Sequence, residues 1–211
     1  MLTTKVKASE IANLTDARYF AALEVEWLCF NLEKGAEAYI EPENVMAIKE
    51  WVEGPKIVGT FGMQSVEYIQ SAISTIGLDA IQLGHFAEMS QILRLRDATI
   101  IKEVFIGDQL DTSEIGKHVF MHSDYVNVFA LKGTITWASI RENASQVAFL
   151  KKICTDYDII IDFEFKAEEV NELLQAISPL GINVKGGEEE AVGVKSYDEL
   201  DDLFENIIIE N

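Results

Sequence analysis

The sequence predicts an α/β fold: a compact (β/α)8, or TIM, barrel built as a single domain over residues 1–211. Two observations carry this. Apolar, β-rich runs alternate with amphipathic segments along the whole chain, at intervals of about 25 residues. The alternation completes eight repeats with no sign of a strand-order reversal, which favours a closed barrel over an open doubly wound sheet.

The strand runs are Val6–Ala8, Trp27–Phe30, Ile57–Phe61, Ala80–Leu83, Thr99–Phe105, Tyr125–Leu131, Ile159–Phe163 and Ile182–Val184. The helical segments begin with Asn13–Leu23. Pro42–Val52 follows, with proline in the first turn, where a missing N–H costs nothing. Ser65–Thr75 has Ser65 as an N-cap and stops before Gly77. Ala87–Leu95, Asn143–Cys154, Ala167–Ile177 and Tyr197–Ile208 complete the set. The stretch DQLDTSEIGKH after strand five supports only a short helix.

Composition narrows the function classes. A net charge of -19 repels nucleic acid and anionic membranes, so neither is an expected partner. It also opposes an anionic substrate unless the pocket reverses the sign locally; a solvated acidic surface accounts for the charge equally well. No apolar run approaches the ~18 residues of a membrane span, and Met-Leu-Thr-Thr-Lys lacks a signal-peptide core, so the expected location is the cytoplasm. Cys29 and Cys154 read as reduced, packed thiols. No Cys-x-x-Cys, His-x-His or His-Glu-x-x-His spacing supports a metal, and no P-loop, Gly-x-Gly-x-x-Gly or Gly-x-Ser-x-Gly supports a cofactor or nucleophile elbow. The expected partner is a small molecule, and the expected state is a monomer or homodimer.

A barrel places its chemistry at the C-terminal ends of the strands. That rule selects Ser9 and Glu10 after strand one, Gln82 and His85 at strand four, Lys102 and Glu103 on strand five, and Asn127 leading to Lys132 on strand six. On strand seven it selects Asp162 and Glu164, and on strand eight Lys185-Gly186-Gly187. Residues two apart on a strand share a face, so Asp162 pairs with Glu164, and Asn183 with Lys185. Carboxylates and a lysine converging there would have perturbed acidities suited to proton transfer. If the faces point outward, the same residues form only salt bridges in solvent. Gly186 and Gly187 would let backbone amides approach a phosphate, although Glu188–Glu190 follow at once and turn glycines explain the pair as well. His118 and His122 read as surface or packing residues.

Three segments carry a family resemblance. KVKASEIANLTDARYFAALEVEWLCF resembles the opening of phosphoribosylanthranilate isomerases, which run Lys-Val-Lys-Ile-Cys-Gly-Ile-Thr-Asn. GLDAIQLGHFAEM resembles their Gly-Leu-Asp-x-Val-Gln-Leu-His-Gly segment. GINVKGGEEEAVGVKSYDELDDLFENI resembles their glycine-rich ending. The resemblance implies the barrel fold, no cofactor, a phosphorylated sugar-like ligand and an Amadori isomerisation in tryptophan biosynthesis. The family's base is the cysteine after strand one, and its acid is an aspartate on strand six.

Carried over residue by residue, these functions are not kept. The cysteine falls at Ser9 and the following glycine at Glu10; the strand-six aspartate has no clear counterpart, Asn127 being the nearest polar match; the histidine falls at Gly84, with His85 one residue on. The phosphate turns become Asp162-Phe163-Glu164 and Lys185-Gly186-Gly187. Loss of a positioned acid or base costs ~10²–10⁴-fold each. Three readings follow. The first is a parent isomerase with Glu10 as its base and Asp162 or Glu103 as its acid. The second is a different acid–base enzyme using Glu10, Lys102, Asp162, Glu164 and Lys185. The third is a non-catalytic module whose pocket is closed by Phe163 and Phe165.

Overall fold

The computed structural model describes residues 1–36, 38–186, 188–191 and 194–209. Eight parallel strands close a barrel in sequence order. They are β1 (Lys5–Ser9), β2 (Trp27–Asn31), β3 (Lys56–Phe61), β4 (Ala80–Leu83), β5 (Ile100–Ile106), β6 (Val128–Thr136), β7 (Ile159–Glu164) and β8 (Gly181–Lys185). β1 pairs with β8 through five residue pairs, from Lys5 opposite Gly181 to Ser9 opposite Lys185, which shuts the ring.

Each strand is buried on both faces, which is why the runs read as continuously apolar. One set of alternating side chains fills the lumen, among them Trp27, Cys29, Val58, Ile101, Ala130 and Ile160. The other set, including Phe30, Phe61, Leu83, Phe129 and Ile161, packs against the helices. Burial pushes the Cys29 thiol up to about 11 and the Cys154 thiol up to about 12, so both remain protonated and unreactive.

The helices start where side chains can satisfy their open N–H groups. Asn13 accepts from Asp16 N at the head of α1 (Leu14–Ala22). Pro42 opens α2 (Pro42–Lys49), and Ser65 caps α3 (Val66–Ala72). α4 covers Met89–Arg94. Asp111 accepts from Ser113 N and Glu114 N, so α5 (Thr112–His122) is a full helix of 11 residues where the sequence supported only a short one. Next come α6 (Trp137–Arg141), α7 (Ala144–Asp156), capped by Asn143, and α8 (Val170–Ile177). After β8 an antiparallel pair, β9 (Glu188–Ala191) and β10 (Val194–Ser196), leads into α9 (Asp198–Ile207). The first and last helices are clasped together. The Tyr19 and Tyr197 rings stack at 4.1 Å; Tyr19 donates to Asp201 (2.5 Å) and Tyr197 to buried Asp16 (2.6 Å).

One strand is displaced from its expected bounds. β6 covers Val128–Thr136 rather than Tyr125–Leu131. Tyr125 N and Val126 N both donate to His122 O, so that part of the apolar run ends α5 instead of opening a strand. Among the described residues no helix is long and apolar enough to cross a membrane.

Candidate active site at the barrel mouth

The lumenal alternation decides which polar groups reach the mouth. On β1 it brings in Lys7 and Ser9; on β4, Gln82; on β5, Glu103; on β6, Lys132. On β7 it selects Asp162 and Glu164, and on β8, Asn183 and Lys185. Asp162 lies inside the mouth with its side chain 10 % exposed, and Glu164 stands above it in solvent. Lys132 and Asp162 are directly opposed on neighbouring strands.

Beneath the mouth, Lys7 is fully buried. Its Nζ donates to Asn183 Oδ1 at 2.7 Å and lies 4.0 Å from Asp162 Oδ2. Asn183 Nδ2 donates to Asp162 Oδ1 (2.8 Å) and to Ser9 Oγ (3.0 Å). Ser9 Oγ donates onward to Val184 O at 3.2 Å. The hydroxyl at the strand-one end therefore already has both a donor and an acceptor. Burial raises the pKa of Asp162 above its ordinary carboxylate value; Lys7 and Lys132 pull it back only in part.

A second group occupies the β4–β6 side. Glu103 Oε1 accepts from Gln82 Nε2 at 2.8 Å and from Lys132 Nζ at 3.2 Å. Burial pulls the Lys132 ammonium down, but the Glu103 and Asp162 carboxylates outweigh it, and the group stays protonated above its ordinary value. Gln82 Oε1 is buried without a hydrogen-bond partner.

Glu10 sits on the rim. Its φ of 59° is left-handed, a conformation natural to glycine. Its carboxylate meets Lys185 Nζ at 3.1 Å, with both side chains substantially exposed. Gly186 N donates to Ser9 O (3.2 Å), so this amide is already engaged and not offered to an anion. Gly187 lies outside the described residues.

Three of the residues selected from sequence lie away from the lumen. Asn127 is at the opposite, N-terminal end of β6, where its side chain accepts from Ile100 N and its own N–H donates to Ile100 O. The β6 side chain that does reach the mouth is Lys132, a cation. Lys102 alternates with Glu103 and so points outward, behind β5. It is fully buried and donates to Gly84 O (2.7 Å) and His85 O (2.6 Å); burial pulls its ammonium down to about 8 although Glu103 opposes this. His85 also turns to the helix layer. Its Nδ1 accepts from Phe105 N (3.0 Å), and its ring stacks on His118 of α5, 4.9 Å between centroids. His118 continues to His122 at 4.5 Å, so the chain's three histidines form one row outside the barrel. Phe163 and Phe165 also pack in the sheet–helix layer, so neither plugs the mouth. Among the described residues no group of three or more His, Cys, Asp or Glu side chains could hold a metal ion.

Lys7 escaped the reading from sequence, although its signal was present: in Lys5-Val6-Lys7-Ala8-Ser9 it shares the face of Ser9. A lysine between two apolar residues near a strand start reads as an edge charge. Only the ring closure with β8 shows its partners.

The geometry can be compared with known proteins. The sequence profile of N-(5'phosphoribosyl)anthranilate (PRA) isomerase matches residues 6–206. An N-(5'-phosphoribosyl)anthranilate isomerase of Caldanaerobacter subterraneus subsp. tengcongensis is 23 % identical over 203 residues, covering 96 % of this chain and 97 % of the relative. The crystal structure of the phosphoribosyl anthranilate isomerase from Thermus thermophilus superposes with a TM-score of 0.74 at 25 % identity, covering 96 % of this chain and 97 % of that one. A phosphoribosyl anthranilate isomerase in complex with reduced 1-(o-carboxyphenylamino)-1-deoxyribulose 5-phosphate reaches a TM-score of 0.77 at 18 % identity, again over 96 % and 97 % of the two chains. With the barrel, its strand order and nearly the whole length in common, this chain belongs to the phosphoribosylanthranilate isomerase family.

Proposed function

We propose that this member of the family has lost the Amadori isomerisation and uses its barrel mouth for acid–base chemistry on a different small molecule. One observation carries the reading: Ser9 stands where the resemblance places the family's base, and the β6 side chain that reaches the mouth is Lys132 rather than a carboxyl. The Ser9 hydroxyl is held by Asn183 and Val184 O, with no base beside it to take its proton. Lys132 is an ammonium clamped by Glu103. A substrate carrying a phosphate and a carboxylate would enter a mouth where Glu10, Glu103, Asp162 and Glu164 outnumber Lys7, Lys132 and Lys185.

Asp162 is the group suited to proton transfer. Its carboxyl is held above the usual range by burial, which moves a weak base toward neutral working pH. Lys132, opposite it in register, would stabilise negative charge developing on a substrate oxygen as Asp162 removes a proton. The Phe163 and Phe165 rings, which would have closed a non-catalytic module, are committed to the outer layer, and this favours an open polar mouth. A second reading, binding without turnover, is favoured by the pairing of the cations with mouth groups: Lys132 with Glu103, Lys185 with Glu10, Lys7 with Asn183 and Asp162.

The test is complementation of a tryptophan auxotroph lacking this isomerase. The expected result is no growth at high expression. Growth dependent on Asp162 would instead establish a surviving isomerase with relocated chemistry.

A further inference from the structure

We propose that the β4–β6 side of the mouth takes an uncharged polyhydroxyl compound, a sugar or polyol without a phosphate. The inference rests on the reading above that the mouth is a ligand site, and it specifies what that site accepts.

Gln82 is 3 % exposed, and its Oε1 has no partner. Its amide cannot be turned round to supply one. Nε2 donates to Glu103 Oε1 at 2.8 Å, and the reverse orientation would set the amide oxygen against a carboxylate. A buried acceptor left unpaired costs about 1–3 kcal/mol; the atom is closed to solvent, so a ligand hydroxyl meets that demand by displacing the side chains that cover it. The neighbouring atoms have capacity too. Both contacts to Glu103 fall on Oε1, and Lys132 Nζ uses one of its three protons on that oxygen. The face thus alternates acceptor, acceptor and donor across β4, β5 and β6.

A run of hydroxyls fits this alternation, because each hydroxyl both donates and accepts. A phosphate does not. It brings only acceptors, which Gln82 Oε1 and Glu103 would repel, and the Gly186 amide is already used by Ser9 O. An ammonium group would satisfy the two acceptors but would meet Lys132 at close range. Sites built to hydrogen-bond a particular polar group discriminate strongly against ligands lacking it.

The experiment is isothermal titration calorimetry of the full chain with ribose and with ribose 5-phosphate at neutral pH, repeated on Gln82→Met and, as a control on α7 away from the mouth, Lys152→Ala. Circular dichroism melting checks that each variant is folded. The expected result is measurable binding of ribose, at least tenfold weaker binding of ribose 5-phosphate, at least tenfold loss in Gln82→Met and no change in Lys152→Ala. Should Gln82→Met fail to fold, Glu103→Gln replaces it, with the same loss expected. Preference for ribose 5-phosphate overturns the inference and leaves a ligand-binding mouth intact. Undiminished binding in a folded Gln82→Met also overturns it. If neither sugar binds, the inference falls, and the complementation result separately decides the reading on which it rests.

Discussion

The two sides of the barrel mouth are built on opposite terms. On the β1, β7 and β8 side, Lys7, Asn183, Asp162 and Ser9 satisfy one another in a chain that ends on a backbone carbonyl. On the β4, β5 and β6 side, Gln82, Glu103 and Lys132 share a single carboxylate oxygen and leave an acceptor unpaired. The first side holds Ser9, which stands where the resemblance places a strand-one base, within an internal network. The second is where the polyhydroxyl ligand is proposed to bind. The same scaffold thus carries one satisfied and one unsatisfied group of polar side chains at its strand ends.

The largest effect expected comes from breaking the closed side. Lys7→Met removes the buried ammonium and leaves Asp162 and Asn183 Oδ1 without it, a loss of about 3–5 kcal/mol by chemical denaturation. Asp162→Asn contrasts with it: because the folded state already disfavours the charged carboxyl, that change is expected to cost under about 1 kcal/mol. Equal losses in the two variants would erase the distinction between network support and proton-transfer group.

The open side is probed next, from behind. Burial, with Lys102, His122 and His85, pulls His118 down to about 4, and burial with Lys102 lowers His85, while Glu114 and Glu103 oppose this for His85. A depressed folded value means the unfolded chain binds more protons between pH ~6.5 and about 4. Stability is therefore full above that window and falls as the pH drops through it. The expected His118 contribution is about 1–2 kcal/mol after solvent screening. Denaturation midpoints measured from pH 7 to pH 4 should show a shallower fall in His118→Gln. An unchanged slope would mean the histidine row is not desolvated.

Smaller effects belong to the rim. Glu10→Gly relieves the left-handed backbone and, after the entropy gained by the unfolded chain, should stabilise by about 0.5–1 kcal/mol. Lys185→Ala breaks only an exposed pair and should change stability by under about 0.5 kcal/mol.

The sequence made the barrel legible because its signals are local. Asn13, Pro42 and Ser65 mark helix starts, and doubly buried strands appear as apolar runs. Alternation also placed Asp162 and Glu164 on one face correctly relative to each other. It could not say which face is the lumen on β5, where the adjacent Lys102 and Glu103 point to opposite layers. Strand six shows the same limit. The run Tyr125–Leu131 looks like one strand, but its first residues close α5, and the shift moves Asn127 to the far end and Lys132 to the mouth. The β1–β8 closure that gives Lys7 its partners joins residues more than 170 positions apart, for which no local pattern exists.

The most direct test of the central claim is turnover of phosphoribosylanthranilate by the purified chain, beside the double variant Ser9→Cys, Lys132→Asp, which places a thiol at the end of β1 and a carboxyl on β6 at the mouth. The account predicts no turnover above background by the natural chain and a measurable rate in the double variant. Turnover by the natural chain at a rate typical of the family, abolished by Asp162→Asn, would contradict it.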